Sequence, residues 1–187
     1  MQRANINPRA TLTAVFLLAA STGSMATCFE EAARQYGLNE GLLRAIVQVE
    51  SGGNSRALNG SHQDKTGSVD IGLMQINSRW LDTPTFKRQG ITREALRNDA
   101  CLNLKVGAWI LREDLDRHGD SWDAVGAYNA SCTELKGKDC QRARMIYANK
   151  VYQAWTRIAR GNPEVARVTH AQPPARRIAT VNLDYQE

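Results

Sequence analysis

The sequence lacks most of the features that assign a chain to a chemical class at sight. Its three histidines stand far apart, at 62, 118 and 170, and no two cysteines form a CxxC pair. Zinc and dithiol redox centres therefore lack their ligand spacing, and no metal or cofactor is expected. Lys and Arg outnumber Asp and Glu by 24 to 19, yet they form no dense basic stripe of the kind nucleic-acid binders carry. Aromatic residues are only 6% of the chain, and with 5 prolines and 14 glycines neither a collagen-like nor a low-complexity reading holds. Strand-type alternation and internal repeats are missing, and no apolar run approaches the ~20 residues a membrane span needs.

What remains is globular: 187 residues and 20.7 kDa, with 42% hydrophobic and 23% charged residues, suit one ordinary domain. The start reads differently. Arg3 and Arg9 precede the apolar stretch Ala14 to Ala20, and Ser24-Met25-Ala26 offers a small-x-small exit. This is the pattern of a secretory leader over 1–26, which places the mature chain in the periplasm without a stable membrane span. In that oxidising compartment the even set Cys28, Cys101, Cys132 and Cys140 reads as two disulfides. Of three connectivities, Cys28–Cys101 with Cys132–Cys140 is favoured, because the second pair brackets one short polar loop.

The mature chain carries helical spacing almost throughout. Phe29, Ala32, Ala33 and Tyr36 share a stripe closed by Gly37, and Asn39 can cap a second helix that faces inward at Leu42, Leu43, Ile46 and Val47. A polar connection over 54–69 holds a loop or a small hairpin, and a short helix is expected from Ile71 through Gln75. Thr92 with Ala95-Leu96 suggests another. Residues 102–115 show two adjoining apolar stripes, the mark of a central helix. Asp120 reads as the cap of the next helix, with Trp122, Val125 and Tyr128 in register. A last helix from about Asp139 turns Tyr147, Val151, Ala154, Trp155 and Ile158 to one side. The domain is expected over 27–160 and a loose, proline- and arginine-containing tail over 161–187. The fold class expected is all-α, or at most α+β of the lysozyme type.

Glu50 is the most informative residue. It lies four residues after Ile46 and seven after Leu43, on the apolar face and in the last helical turn. Desolvation and the negative helix end both raise a carboxyl pKa there, which suits a general acid. Its plainer reading is a helix-terminal acid that curls into solvent. Tyr128 and Asn129 also fall on a core-facing stripe, where a phenol and an amide need partners. Gly72, Met74 and Gln75 combine a residue that admits close approach with an apolar side chain and an amide that can read a polar ligand.

Glu50-Ser51-Gly52-Gly53-Asn54, Gly72-Leu73-Met74-Gln75-Ile76-Asn77 and Ala127-Tyr128-Asn129 occur in the order and rough spacing of the soluble lytic transglycosylase domain. Between about Cys28 and Ala130 the chain resembles that family, whose fold is lysozyme-like, and is most similar to its small exported members of secretion, conjugation or pilus systems. The resemblance implies that Glu50 is the acid/base and that Ser51 orients it or the substrate's acetamido group. It implies that Gly72, Met74 and Gln75 line the glycan cleft, that Tyr128 hydrogen-bonds near Glu50, and that Asn129 supports the site. It implies peptidoglycan glycan strands as substrate, components of an envelope-spanning assembly as partners, and no cofactor. A cysteine near the mature start and another after the central motifs are usual in those members, which Cys28 and Cys101 match.

The family's chemistry needs one acid and help from the substrate, giving a 1,6-anhydro end without water. Two alternatives stand beside it. One is a lysozyme-type hydrolase with Asp70 as second carboxylate; the plainer reading of Asp70 is an acid at a helix start, satisfying free backbone N–H groups. The other is a glycan-binding assembly module without turnover.

Overall fold

A computed structural model describes residues 24–163. The expected leader up to residue 23 and the expected tail from residue 164 lie outside the described residues. Helix α1 (Met25–Tyr36) starts at Ser24, whose hydroxyl accepts the Thr27 amide hydrogen, and ends at Gly37 in the left-handed region. Its stripe of Cys28, Phe29, Ala32, Ala33 and Tyr36 is buried, as the spacing predicts. Asn39 caps α2 (Glu40–Glu50) by accepting from the Leu42 amide at 2.9 Å. The helix buries Leu43, Ala45, Ile46 and Val47. Full burial of a side chain such as Ile46 is worth roughly 1.5–3 kcal/mol, so this one face anchors the helix.

The polar connection after α2 contains β1 (Leu58–Asn59) and a single helical turn, α3 (Gln63–Thr66). It continues into β2 (Asp70–Ile71) and β3 (Ile76–Asn77). These form an antiparallel sheet in the order β1-β2-β3, with Leu58 opposite Ile71 and Asp70 opposite Asn77. Here the sequence reading needs correction: Ile71 ends β2 and residues 72–75 are a tight turn into β3, not a helix. Gly72 (φ 75°) and Gln75 (φ 50°) both sit in the left-handed region, which no α-helix accommodates.

A 3₁₀ turn (Ser78–Asp82) leads into α4 (Pro84–Arg88) and α5 (Arg93–Asn98), capped by Thr83 and Thr92. Asp99 caps α6 (Ala100–His118), which buries residues on two stripes, including Leu102, Leu104, Val106, Ala108, Leu111 and Leu115. It is the central helix. Ser121, one residue after the expected Asp120, caps α7 (Trp122–Asn129). The last helix, α8 (Gly137–Gly161), buries Tyr147, Ala148, Val151 and Ala154.

α1 and α7 pack on α6, while α8 packs on α2 and α7. At Gly126 the last pair comes so close that a Cβ would stand 2.6 Å from Arg144 Cβ. Arg144 is buried and ties α8 to both ends of α7, through Ala130 O at 3.1 Å and Asp123 Oδ2 at 2.8 Å. Cys28–Cys101 joins α1 to the first turn of α6, and Cys132–Cys140 joins the α7–α8 connection to the first turn of α8. The result is the mostly helical domain with a small hairpin sheet that the resemblance implies.

Candidate active site

A cleft of about 670 Å³ opens between the small sheet and the helices, with Glu50 among its lining residues. Because α2 turns this face toward the core, the Glu50 carboxyl is largely out of water. Burial pushes its pKa up from 4.5 to about 7. The hydrogen bond from Tyr147 works against that shift, the negative charge of Asp70 adds to it, and Lys150 opposes it. Tyr147 Oη donates to Glu50 Oε1 at 2.5 Å. Burial and the neighbouring carboxyl push the Tyr147 phenol well above its ordinary value, so it remains a donor.

The hydrogen bond to the Glu50 carboxyl itself thus comes from Tyr147. Tyr128 Oη instead donates to Met74 O at 2.8 Å, and the two tyrosine rings lie nearly parallel with centroids 6.5 Å apart. Tyr128 works on the β2–β3 turn, and so do most other residues of the three motifs. Ser51 Oγ donates to Leu73 O at 2.7 Å, fastening the end of α2 to that turn rather than addressing Glu50. Gln75 Nε2 donates to Gly72 O at 2.8 Å across the turn, while its side chain also borders the cleft. Met74 is fully buried beneath the turn, packed where a Cβ on Gly107 of α6 would collide with it. Asn129 lines the cleft beside Tyr128.

The residue that holds all this together is Asn103, which sequence reasoning passed over. Its side chain is fully buried on α6, accepts from Met74 N at 2.7 Å, and donates to Ile71 O at 2.9 Å and to Leu96 O at 3.0 Å. Gly72 must be glycine beside it, since a Cβ would lie 2.3 Å from Asn103 Nδ2. The available signal was an amide inside the apolar face of a central helix, where an unpaired amide would be costly. Tyr147 offered a weaker one: a tyrosine on an otherwise aliphatic and indole face, whose hydroxyl needs a partner.

Asp70 also requires correction. It does not start a helix; it sits in β2, accepts from Asn77 Nδ2 at 2.7 Å, and faces His62 Nε2 at 3.6 Å. It borders the same cleft as Glu50. Among the described residues, no cluster of three or more His, Cys, Asp or Glu side chains is placed to hold a metal ion. Trp80 adds an aromatic wall, stacked on Phe86 at 5.6 Å and edge-on to Trp109 at 5.5 Å. A carboxyl whose pKa is about 7, in a cleft that Trp80 also lines, can give a proton to a bridging oxygen of a bound chain.

Comparison with known proteins agrees with this geometry. Protein IpgF of Shigella flexneri is 36% identical over 134 residues, covering 72% of this chain and 82% of that protein. Invasion protein IagB of Salmonella typhimurium is 37% identical over 144 residues, covering 77% and 84%. An X polypeptide of Escherichia coli is 37% identical over 133 residues, covering 71% and 75%. The transglycosylase SLT domain matches residues 27–147, past Ala130 where the likeness in the motifs fades and as far as Tyr147. With well over half of its length inside that match, the chain belongs to the transglycosylase SLT domain family.

Proposed function

We propose that this protein is a peptidoglycan lytic transglycosylase that cleaves the β-1,4 bond between N-acetylmuramic acid and N-acetylglucosamine. The observation that carries the reading is Glu50: a half-buried carboxyl with its pKa near 7, held by one phenol, in a cleft of about 670 Å³. With its pKa at about 7, it is about half protonated at neutral pH and protonated below it. It gives its proton to the glycosidic oxygen as the C1–O bond breaks, and the muramic acid's own acetamido group stabilises the cation at C1. The Glu50 carboxylate then takes the proton of the sugar's 6-hydroxyl, and that oxygen closes on C1. The acid is regenerated, no water is consumed, and the released end is a 1,6-anhydro sugar.

One observation favours a second reading. Asp70 shares the cleft with Glu50, and its charge is close enough to raise the Glu50 pKa. A hydrolase would use it to activate water or to stabilise the cation. Product chemistry separates the two. Purified protein acting on sacculi is expected to release muropeptides that borohydride does not reduce, one water lighter than the hydrolytic products, and Asp70→Asn is expected to leave that product unchanged. Reducible products, abolished by Asp70→Asn, would replace this reading with hydrolysis.

The export reading rests on the leader pattern over 1–26 and on two disulfides. Among the described residues no helix is long and apolar enough to cross a membrane. A periplasmic enzyme that opens the wall locally for an envelope-spanning apparatus fits the size of the domain. It also fits its likeness to a protein named for invasion.

A further inference from the structure

Helix α8 has two working faces, and the fold uses one of them. Arg144, Tyr147, Val151 and Ala154 are buried against the rest of the domain. A second row runs along the outside: Lys138, Arg142, Met145, Asn149, Tyr152 and Thr156, at alternating steps of four and three residues. That spacing keeps to one line along a helix, the line against which a neighbouring helix packs. The middle of the row is apolar yet in water, with Met145 44% and Tyr152 47% exposed. Trp122, at the start of α7, stands edge-on to the Tyr152 ring at 5.2 Å. Together with Ala148 and Asn149 these three side chains enclose a groove of about 250 Å³ that shares no residue with the cleft.

The ends of the row are charged, and of one sign. Lys138 and Arg142 precede Met145, and Arg160 follows Thr156 by about one turn. Among the described residues none of these three forms an ion pair. Asp139, the one acid in α8, stands off the row. The acids beside Trp122 are engaged elsewhere, Asp120 with Arg112 at 3.4 Å and Asp123 with Arg144 at 2.8 Å. An apolar groove between unpaired cations narrows the choice of occupant. A second copy of the chain would set cations against cations at both ends, and a lipid surface presents no side chain to fill a concave groove. We infer that this row is a docking surface for one amphipathic helix of a partner protein. Its apolar side chains enter the groove at Trp122, Met145 and Tyr152, while carboxylates at its two ends meet Lys138, Arg142 and Arg160. From Lys138 to Arg160 the row is ~33 Å long, which matches a partner helix of about six turns. Docking here leaves the cleft open, and the inference does not depend on the reaction proposed for Glu50.

The probe is a synthetic helix with leucine at heptad positions and glutamate elsewhere, compared with the same peptide carrying lysine for glutamate. Each is dye-labelled and titrated with the full chain by fluorescence anisotropy at low salt. The glutamate peptide is expected to bind at least about tenfold more tightly, with the gap closing as salt is raised. Arg142→Glu and Met145→Glu, both at exposed positions, are each expected to weaken its binding about fivefold or more. Arg157→Glu makes the same charge change on another side of α8 and is expected to cost less than about twofold. Circular dichroism melts check that all three variants fold. Equal affinity for the two peptides, or a loss from Arg157→Glu as large as that from Arg142→Glu, overturns the inference. So does binding to phosphatidylglycerol vesicles in place of the peptide, or self-association of the full chain that Met145→Glu abolishes.

Discussion

The two walls of the cleft are held by different physics. The helical wall, built from α2, α6 and α7 with α8 packed behind them, is a set of apolar stripes in which Leu43, Ile46, Leu111 and Val151 are fully buried. Each contributes through area, and no single contact defines the geometry. The sheet wall is the opposite case. Its β2–β3 turn is fixed by individual polar bonds: Ser51 to Leu73 O, Tyr128 to Met74 O, and three from Asn103. The lesson is that the family motifs mostly record the second wall. Ser51 and Tyr128 bind the carbonyls of a strained turn, Gln75 closes it through Gly72 O, and Ser51 fastens it to the end of the helix that carries Glu50. Left-handed Gln75 stores strain that this clamp over-determines.

The comparison can be broken first at the acid itself. Glu50→Gln is expected to lower turnover at least 10²–10⁴-fold, the usual value of a general acid–base group. It should also stabilise the fold above neutral pH. A carboxyl whose folded pKa is about 7 against 4.5 unfolded is harder to ionise in the native state. Wild-type stability from this group is therefore complete below pH 4.5 and is lost as pH rises to about 7. At pH 8 the Gln variant should be more stable by about 1–3 kcal/mol, and below pH 4.5 the advantage should vanish. Urea melts at the two pH values check both signs.

The next test sets one wall against the other. Leu111→Ala is expected to cost about 2–5 kcal/mol of stability, with activity at low temperature little changed. Asn103→Ala orphans the Met74 amide and the carbonyls of Ile71 and Leu96, at about 1–3 kcal/mol for each group left unsatisfied. Its distinguishing sign is a loss of turnover out of proportion to its melting point, because the turn beneath Gln75 loses its form. If both variants lost activity only in step with stability, the distinction between the walls would fail.

A smaller effect sharpens the picture. Tyr147→Phe removes the one bond that favours the ionised Glu50, so its pKa should rise above 7 and the alkaline limb of the pH–rate profile should move up. Turnover at the optimum should fall by about tenfold, the cost of one charge-assisted bond. A limb that moved down would mean that the phenol stabilises the neutral acid.

How much of this was legible follows from the same contrast. Stripes are periodic, so the faces of α1, α2, α6 and α8 could be read from spacing, and Glu50 could be recognised because it interrupts one of them. The turn over 72–75 could not. Gly72-Leu73-Met74-Gln75 has the apolar content of a short helix, and only the left-handed Gly72 and Gln75, with Asn103 inserted from 29 to 32 residues away, make it a turn. The partner of Glu50 was hidden for a related reason. Tyr147 lies 97 residues along the chain, and its distance from α2 is set by how closely α8 meets α7 at Gly126 and Arg144. Asp70 was misread because its neighbours, Asn77 and His62, become neighbours only once the strands pair.

The central claim is that packing raises the pKa of one cleft carboxyl, Glu50, from 4.5 to about 7. Carbon-13 NMR of protein labelled at the glutamate side-chain carboxyl, with Glu50→Gln to assign the resonance, tests it directly. A signal that titrates near pH 7 is the predicted result. A Glu50 resonance that titrates near 4.5 would contradict the account.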